Sequence, residues 1–243
     1  MKPLVSGLFF LSGMAALMFE LLWMRQLSLV LGSTIEAAAL VTGTFLAFLG
    51  LGAALGERWS RSRNPLRTYA WIELGVACSG MLVSLYLPQS GSWVAALGAQ
   101  LPQARLLSLL RLLVCCVSLG LPCLLMGASL PVLCAYLSQH WGQEFARGLG
   151  GLYALNTLGG ATGVLVCDGL LIPSIGLWRT SWVAALLDLT VAAVALGFAP
   201  VGSASNATTP RGAEPGSPPG YAIRSLLLVA WGLGLSGTLL QLV

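Results

Sequence analysis

Several charged and amide side chains occur inside long apolar segments of the sequence. A charged group inside a membrane span costs roughly 2.5–3.5 kcal/mol on insertion scales, so such groups usually face a bundle interior or a wet cavity. Glu20 is the leading candidate, because a carboxylate near the middle of a span can accept a cationic solute or carry a proton. The candidates for solute binding are Glu20, Trp23, Arg25, Arg111 and Asn156, and those for a charge network are Glu73, Asp168 and Asp188.

The same residues also have a purely structural interpretation. Glu20 and Arg25 are five residues apart and therefore point about 140° away from each other on an ideal helix, so each needs partners on other helices. A buried ion-pair network that fixes helix packing would satisfy them equally well. Five charged residues of the predicted outer half could simply neutralise one another: Arg25, Glu36, Arg111, Asp168 and Arg179.

The sequence contains no recognisable catalytic or metal-binding motif. Its six cysteines lie in apolar segments without a C-x-x-C pair, and its one histidine, His140, falls in a predicted short loop. Disulfide and zinc frameworks are therefore not expected. Ser-His-Asp, H-E-x-x-H, Walker and dinucleotide-binding patterns are missing as well. We expect no catalytic residues, no metal and no cofactor.

The composition excludes a water-soluble globule. Of the 243 residues, 57% are hydrophobic and 8% are charged, whereas about 25% are charged in an ordinary soluble domain. The 12 Lys and Arg and the 8 Asp and Glu give a net charge of +4, with no basic cluster of the size that nucleic-acid binding requires. The lipid bilayer is the predicted partner, and no nucleic acid is expected.

Apolar segments long enough to cross a bilayer predict an all-α integral membrane protein. A span needs about 20 residues, and the first run is too long for a cleaved signal peptide. Pro122 and Pro131 leave open whether the fourth segment is one kinked helix or two short ones. The predicted spans cover residues 4–31, 35–56, 68–88, 106–137, 148–172, 180–199 and 222–243.

These spans predict three regions along the chain. Residues 1–199 form a six-span membrane bundle, and residues 200–220 form a flexible cytoplasmic linker, since they are rich in Pro, Gly and Ser. Residues 221–243 form a seventh span, which we interpret as the start of a truncated second repeat.

The loop charges predict the orientation of the chain. Four arginines follow the second span, whereas residues 89–104, expected to connect the third and fourth spans, carry no charge before Arg105. Basic loops face the cytoplasm, which predicts a cytoplasmic N-terminus.

The loop after the second span has a second interpretation, as a switchable cytoplasmic lock between helices. In it an acid lies beside several guanidinium groups and follows a glycine that allows close helix packing. Its members are Gly56, Glu57, Arg58, Arg61 and Arg63.

The first span resembles the start of bacterial membrane proteins of the spermine/spermidine synthase family. These proteins often join a membrane block similar to the major facilitator superfamily to a soluble aminopropyltransferase-like domain. The segments WIELG, LMGASLPVL and LYALNTLGGATG are also similar to the family, and GERWSRSR is similar to the facilitator loop motif. The residues that fit the family pattern in the first span are Ser12, Gly13, Leu17, Phe19, Glu20, Trp23, Arg25 and Leu27.

This resemblance implies a six-helix facilitator-like half bundle plus one extra transmembrane helix, located in the bacterial inner membrane. In a three-plus-three arrangement, the first and fourth helices would line a cavity and bring Glu20, Arg25 and Arg111 together. The implied function is transport of a small cationic solute such as a polyamine, with self-association or another half to complete the cavity.

Two departures from the family define the alternatives. Asp168 stands where such proteins more often have a small residue, and residues 200–243 could not build the soluble enzyme domain. Aminopropyl transfer is therefore not expected from this chain alone. The alternative function is a membrane anchor or scaffold for a separate spermidine-synthase-like enzyme, held at the cytoplasmic loops.

Overall fold

The computed structural model describes residues 2–62, 64–100, 103–141 and 145–199. These residues form helices joined by short connections, and no strand occurs among them. The predicted linker, the predicted seventh span and Arg63 lie outside the described residues. The helices are α1 (Lys2–Leu31), α2 (Ile35–Trp59), α3 (Pro65–Ala99), α4 (Ala104–Trp141), α5 (Phe145–Val166), a π-helical turn (Cys167–Leu171) and α6 (Ile172–Phe198).

Five helical stretches within the described ranges are long and apolar enough to cross a membrane. The expectation of an all-helical, multi-pass membrane protein is confirmed at this level, but the number of stretches differs from the predicted six plus one. The predicted fifth and sixth spans belong to one stretch, Leu149–Phe198, of 50 residues. The predicted fourth span is a single helix that contains both Pro122 and Pro131.

The fifth stretch folds back on itself at Gly176. A straight helix of 50 residues would be about 75 Å long, against about 30 Å of hydrocarbon. Gly176 has φ 81° and ψ 167°, a conformation that is essentially restricted to glycine. Before it, Asp168 contacts Arg25 near the end of α1. After it, Asp188 lies beside Glu73, which accepts a hydrogen bond from Ser12 near the start of α1. The chain therefore runs in opposite directions before and after Gly176.

Helices α2 and α4 form a parallel pair that is packed through glycines. A Cβ on Gly52 would lie 2.0 Å from the carbonyl oxygen of Leu124, and one on Gly56 would lie 2.8 Å from Ala128. Because both contacts advance by four residues in the same direction, the two helices run parallel. Small residues spaced four apart allow this close backbone approach.

Helices α1 and α5 form a second parallel pair of the same construction. A Cβ on Gly159 would lie 2.0 Å from the carbonyl oxygen of Phe10, and one on Gly163 would lie 2.4 Å from that of Met14. The two pairs are built from equivalent helices. Helix α4 of the first pair corresponds to α1 of the second, and α2 corresponds to α5.

Helix α3 joins the two pairs. It runs parallel to α1, because Phe19 lies against Gly80 and Val30 against Gly91. It runs antiparallel to α4 and extends to Ala99, beyond the end at residue 88 that the sequence predicted. Pro88 is accommodated inside the helix, and the added turns pack on the start of α4.

The first three helices and the second three are related as inverted repeats in their main contacts, although the α1–α3 contact has no counterpart of similar extent between α4 and α6. When each of the first three helices is exchanged with its counterpart (α1 with α4, α2 with α5, α3 with α6), the α2–α4 pair becomes the α5–α1 pair. The extensive contact between α3 and α6 is unchanged by this exchange. The sequence carries the same repeat. Residues 46–56 (LAFLGLGAALG) match residues 153–163 (YALNTLGGATG) at five of 11 positions, and residues 70–77 (AWIELGVA) match residues 185–192 (ALLDLTVA) at four of eight.

Candidate functional site

Glu20 lies on the side of α1 that faces α4, next to the surface on which α5 packs. Direct contacts between α1 and α4 and between α4 and α5 are few, because the two parallel pairs are joined chiefly through α3. Glu20 is half-buried there, and the Cys123 thiol of α4 is within range of its charge. The carboxyl group forms no hydrogen bond or ion pair with any described residue. We call this side of α1 the α1–α4 gap.

Asn156 lies on the same side of α1 as Glu20. A Cβ on Gly13 would be 2.5 Å from the Asn156 side-chain oxygen, so the amide packs directly on α1 at that point. Glu20 is seven residues further along, which is about two turns or 10 Å along the same helical face. The structure therefore places these two candidates in one line along α1.

Arg25 and Arg111 have other partners than Glu20. Arg25 is paired with Asp168, and the two side chains are 45% and 48% exposed. Arg111 Nη1 lies 3.5 Å from Glu36 Oε2, and Ser108 Oγ donates a hydrogen bond of 2.6 Å to Glu36 Oε1. The expectation that an arginine serves as the counter-charge of Glu20 is not reproduced. Neutralisation near these helix ends is confirmed for the two pairs.

Trp23 belongs to the core rather than to the α1–α4 gap. It is 1% exposed and stacks on Phe19, with ring centroids 5.1 Å apart and an interplanar angle of 19°. Phe19 in turn lies against Gly80 of α3. Residues three apart on a helix point about 60° away from each other, which is enough to separate Trp23 from Glu20.

Glu73 and Asp188 form a buried acidic pair where α3 packs on α6. Their side chains are 2% and 1% exposed, and Ser12 Oγ donates a hydrogen bond of 2.9 Å to Glu73 Oε1. The Tyr69 hydroxyl lies within interaction range of both carboxyl groups, yet neither it nor Asp188 Oδ2 makes a hydrogen bond of ordinary geometry. Asp168, the third predicted member of this network, is at the other end of α1 with Arg25.

A cavity of about 350 Å³ lies beside the connection between α1 and α2. Met24, Arg25, Ser28, Thr34 and Val41 contribute to its lining, which is mainly apolar. The charge of Arg25 is already balanced by Asp168. The cavity is separate from Glu20, so it is a neighbouring feature and not the predicted solute site.

The predicted loop motif divides into a packing residue and exposed charges. Gly56 contacts Ala128 of α4, which explains the glycine by helix packing. Glu57 Oε1 lies 3.6 Å from Arg61 Nη2, with both side chains exposed. This acid therefore pairs within its own segment, and the described part of the chain shows no lock to another helix.

Sequence reasoning missed Ser12 and Tyr69 as neighbours of Glu73. Tyr69 is one helical turn before Glu73, so the spacing alone could have indicated a shared face. The sequence also contains a signal for the pairing of Glu73 with Asp188, because the similar segments A-W-I-E-L and A-L-L-D-L occur at corresponding places in the two repeats.

Comparisons of the chain with protein-family models, curated proteins and solved structures found no match.

Proposed function

We propose that this chain is a bacterial inner-membrane protein that transports or handles a small cationic solute, with Glu20 as the cation acceptor. The observation that carries the proposal is a half-buried carboxyl group inside an apolar span without a hydrogen bond or ion pair among the described residues. An intramembrane acid in this state marks a solute or ion pathway more often than a packing element. The resemblance of the first span suggests a polyamine as the solute, and the loop arginines suggest a cytoplasmic N-terminus.

The inverted repeats support an alternating-access mechanism. In many secondary transporters, repeats of opposite orientation rock against each other around a site near the middle of the membrane. The sparse contact between α1 and α4 leaves room for such movement. Transport then requires self-association or another half, because six helices alone form only half of a facilitator and must be completed to enclose a pathway.

The arginine pairs leave Glu20 available to a cation. Asp168 and Glu36 already neutralise Arg25 and Arg111, so neither of these two guanidinium groups competes for the Glu20 carboxylate. Asn156 adds an amide oxygen on the same side of α1, about 10 Å away. A long, flexible polyamine has cationic groups at several places along its length and could contact both.

Uptake by the full-length chain in proteoliposomes tests this proposal. We expect Glu20→Gln to reduce uptake of radiolabelled spermidine at least tenfold, since the amide keeps the shape of the side chain but loses the charge. Glu57→Gln, which removes an exposed acid outside the gap, is the matched control and retains uptake. Equal uptake by Glu20→Gln and the unsubstituted chain would remove Glu20 from the mechanism.

The scaffold alternative draws on a separate observation. Arg58, Arg61 and Arg67 are all exposed around the connection between α2 and α3, where a soluble acidic partner could bind. Replacing the three with glutamine should then abolish pull-down of a separate aminopropyltransferase-like enzyme and leave spermidine uptake unchanged. Retained pull-down by this triple variant would exclude docking at these arginines.

A further inference from the structure

The acidic pair between α3 and α6 has no basic partner among the described residues. Both carboxyl groups are nearly inaccessible to solvent, and no Lys, Arg or His side chain among the described residues forms an ion pair with either. Burying an uncompensated carboxylate is very costly. The pair is therefore neutralised by carboxyl protons, by a bound cation, or by both.

A second observation points to the same place. The Tyr69 hydroxyl is fully buried and lies within interaction range of both carboxyl groups, but it makes no hydrogen bond of ordinary geometry, and neither does Asp188 Oδ2. Buried hydroxyl and carboxylate oxygens without a partner are rare. These two oxygens and the Glu73 carboxyl group together form a set of acceptors that a cation would satisfy.

We propose that Glu73, Asp188, Tyr69 and Ser12 form a binding site for a sodium ion between the inverted repeats. All four groups coordinate through oxygen, as hard cations prefer. Calcium takes six to eight oxygen ligands and magnesium requires octahedral coordination, which is more than four buried side chains provide. One sodium ion and one retained carboxyl proton leave the pair neutral.

The position of the site fits an ion that acts on both repeats. Glu73 and Asp188 correspond to each other in the two repeats, so a bound ion would lie where the repeats meet. Coupling ions of secondary transporters often bind near the midplane at such an interface. A coupling role rests on the proposed transport function, whereas sodium binding itself does not.

Thermal unfolding of the purified full-length chain in detergent tests the site without any solute. We expect sodium chloride near 100 times Kd to raise Tm by about 5–10 °C, while potassium and choline chloride at equal ionic strength do not. Binding of radioactive sodium should saturate at about one ion per chain. Equal shifts with all three salts, or a shift with pH but none with sodium, would overturn the proposal.

Three variants link the response to the site. Asp188→Asn should abolish the sodium-dependent shift, and Tyr69→Phe, which keeps the ring and its packing, should raise the half-saturating sodium concentration about tenfold. Glu57→Gln should leave the response intact. If Asp188→Asn does not fold, Tyr69→Phe decides, since an unchanged half-saturation in that variant contradicts the site. These measurements contain no polyamine, so their failure is distinguishable from failure of transport.

Discussion

Asp188 occupies in the second three helices the position that Glu73 occupies in the first three, and the two carboxyl groups interact with each other in the protein interior. Corresponding residues of two repeats can touch each other only where the repeats meet. The contact of α3 with α6 is the most extensive contact that the exchange of repeats maps onto itself, and its acids belong equally to both halves.

The glycine contacts of the parallel pairs predict a sharp dependence on side-chain size. Gly52→Ala should destabilise the protein by about 1–3 kcal/mol, the usual cost of overpacking, because its Cβ would lie 2.0 Å from a backbone oxygen of α4. Gly43→Ala on the same helix has nothing within 4 Å of its Cβ and should not destabilise. Unfolding in mixed micelles measures both, and equal stability of the two variants would contradict the contact.

The reversal at Gly176 predicts a conformational cost for any side chain. Gly176→Ala should lose about 1–3 kcal/mol, because its backbone conformation is essentially restricted to glycine. Gly197→Ala, further along α6 in ordinary helical geometry with open space around its Cβ, is the control. The Tm of each variant checks this, and a Gly176→Ala protein as stable as Gly197→Ala would mean that the reversal is elsewhere.

The pair of Arg25 and Asp168 is expected to contribute little to stability. Both side chains are nearly half exposed, and ion pairs in such surroundings are worth about 0.2–1 kcal/mol. A double-mutant cycle with Arg25→Gln and Asp168→Asn measures the interaction. A coupling free energy of several kcal/mol would show that the pair is sheltered from water in the membrane and would assign it a larger structural role.

The burial of Trp23 predicts a stability effect and not a direct solute effect. Trp23→Ala should cost about 3–5 kcal/mol through the cavity it leaves, whereas Trp23→Phe keeps an aromatic ring against Phe19. We therefore expect Trp23→Phe to retain spermidine uptake. A large rise in KM for this variant with unchanged Tm would show that the indole contacts the solute.

The sequence was sufficient to predict the class of the protein, because apolar length and scarce charge directly determine membrane insertion. It also indicated Glu20 and the neutralising charges near the ends of α1 and α2. It could not predict the partners of Arg25 and Arg111, which depend on helix pairing between distant segments. The burial of Trp23 could not be predicted either. Its side chain points only about 60° away from that of Glu20 around α1, and this difference places it in the core and not in the α1–α4 gap.

Other differences follow from local chemistry. Residues 89–99 were expected in the connection between the third and fourth spans, but they continue α3, since packing against α4 supports the helix beyond Pro88. The predicted fifth and sixth spans belong to one helical stretch, in which the residues between them are helical except for Gly176. Composition alone does not distinguish a loop from a one-residue reversal.

The interleaved pairing of the helices has a consequence for biosynthesis. Phe10 of α1 packs on Gly159 of α5, which the ribosome adds 149 residues later. At about 5–20 residues per second, roughly 7–30 s pass between synthesis of Phe10 and synthesis of the glycine on which it packs. During that interval the nascent first helix must be held by lipid or by the insertion machinery, and neither repeat can complete its packing before the other has been synthesised.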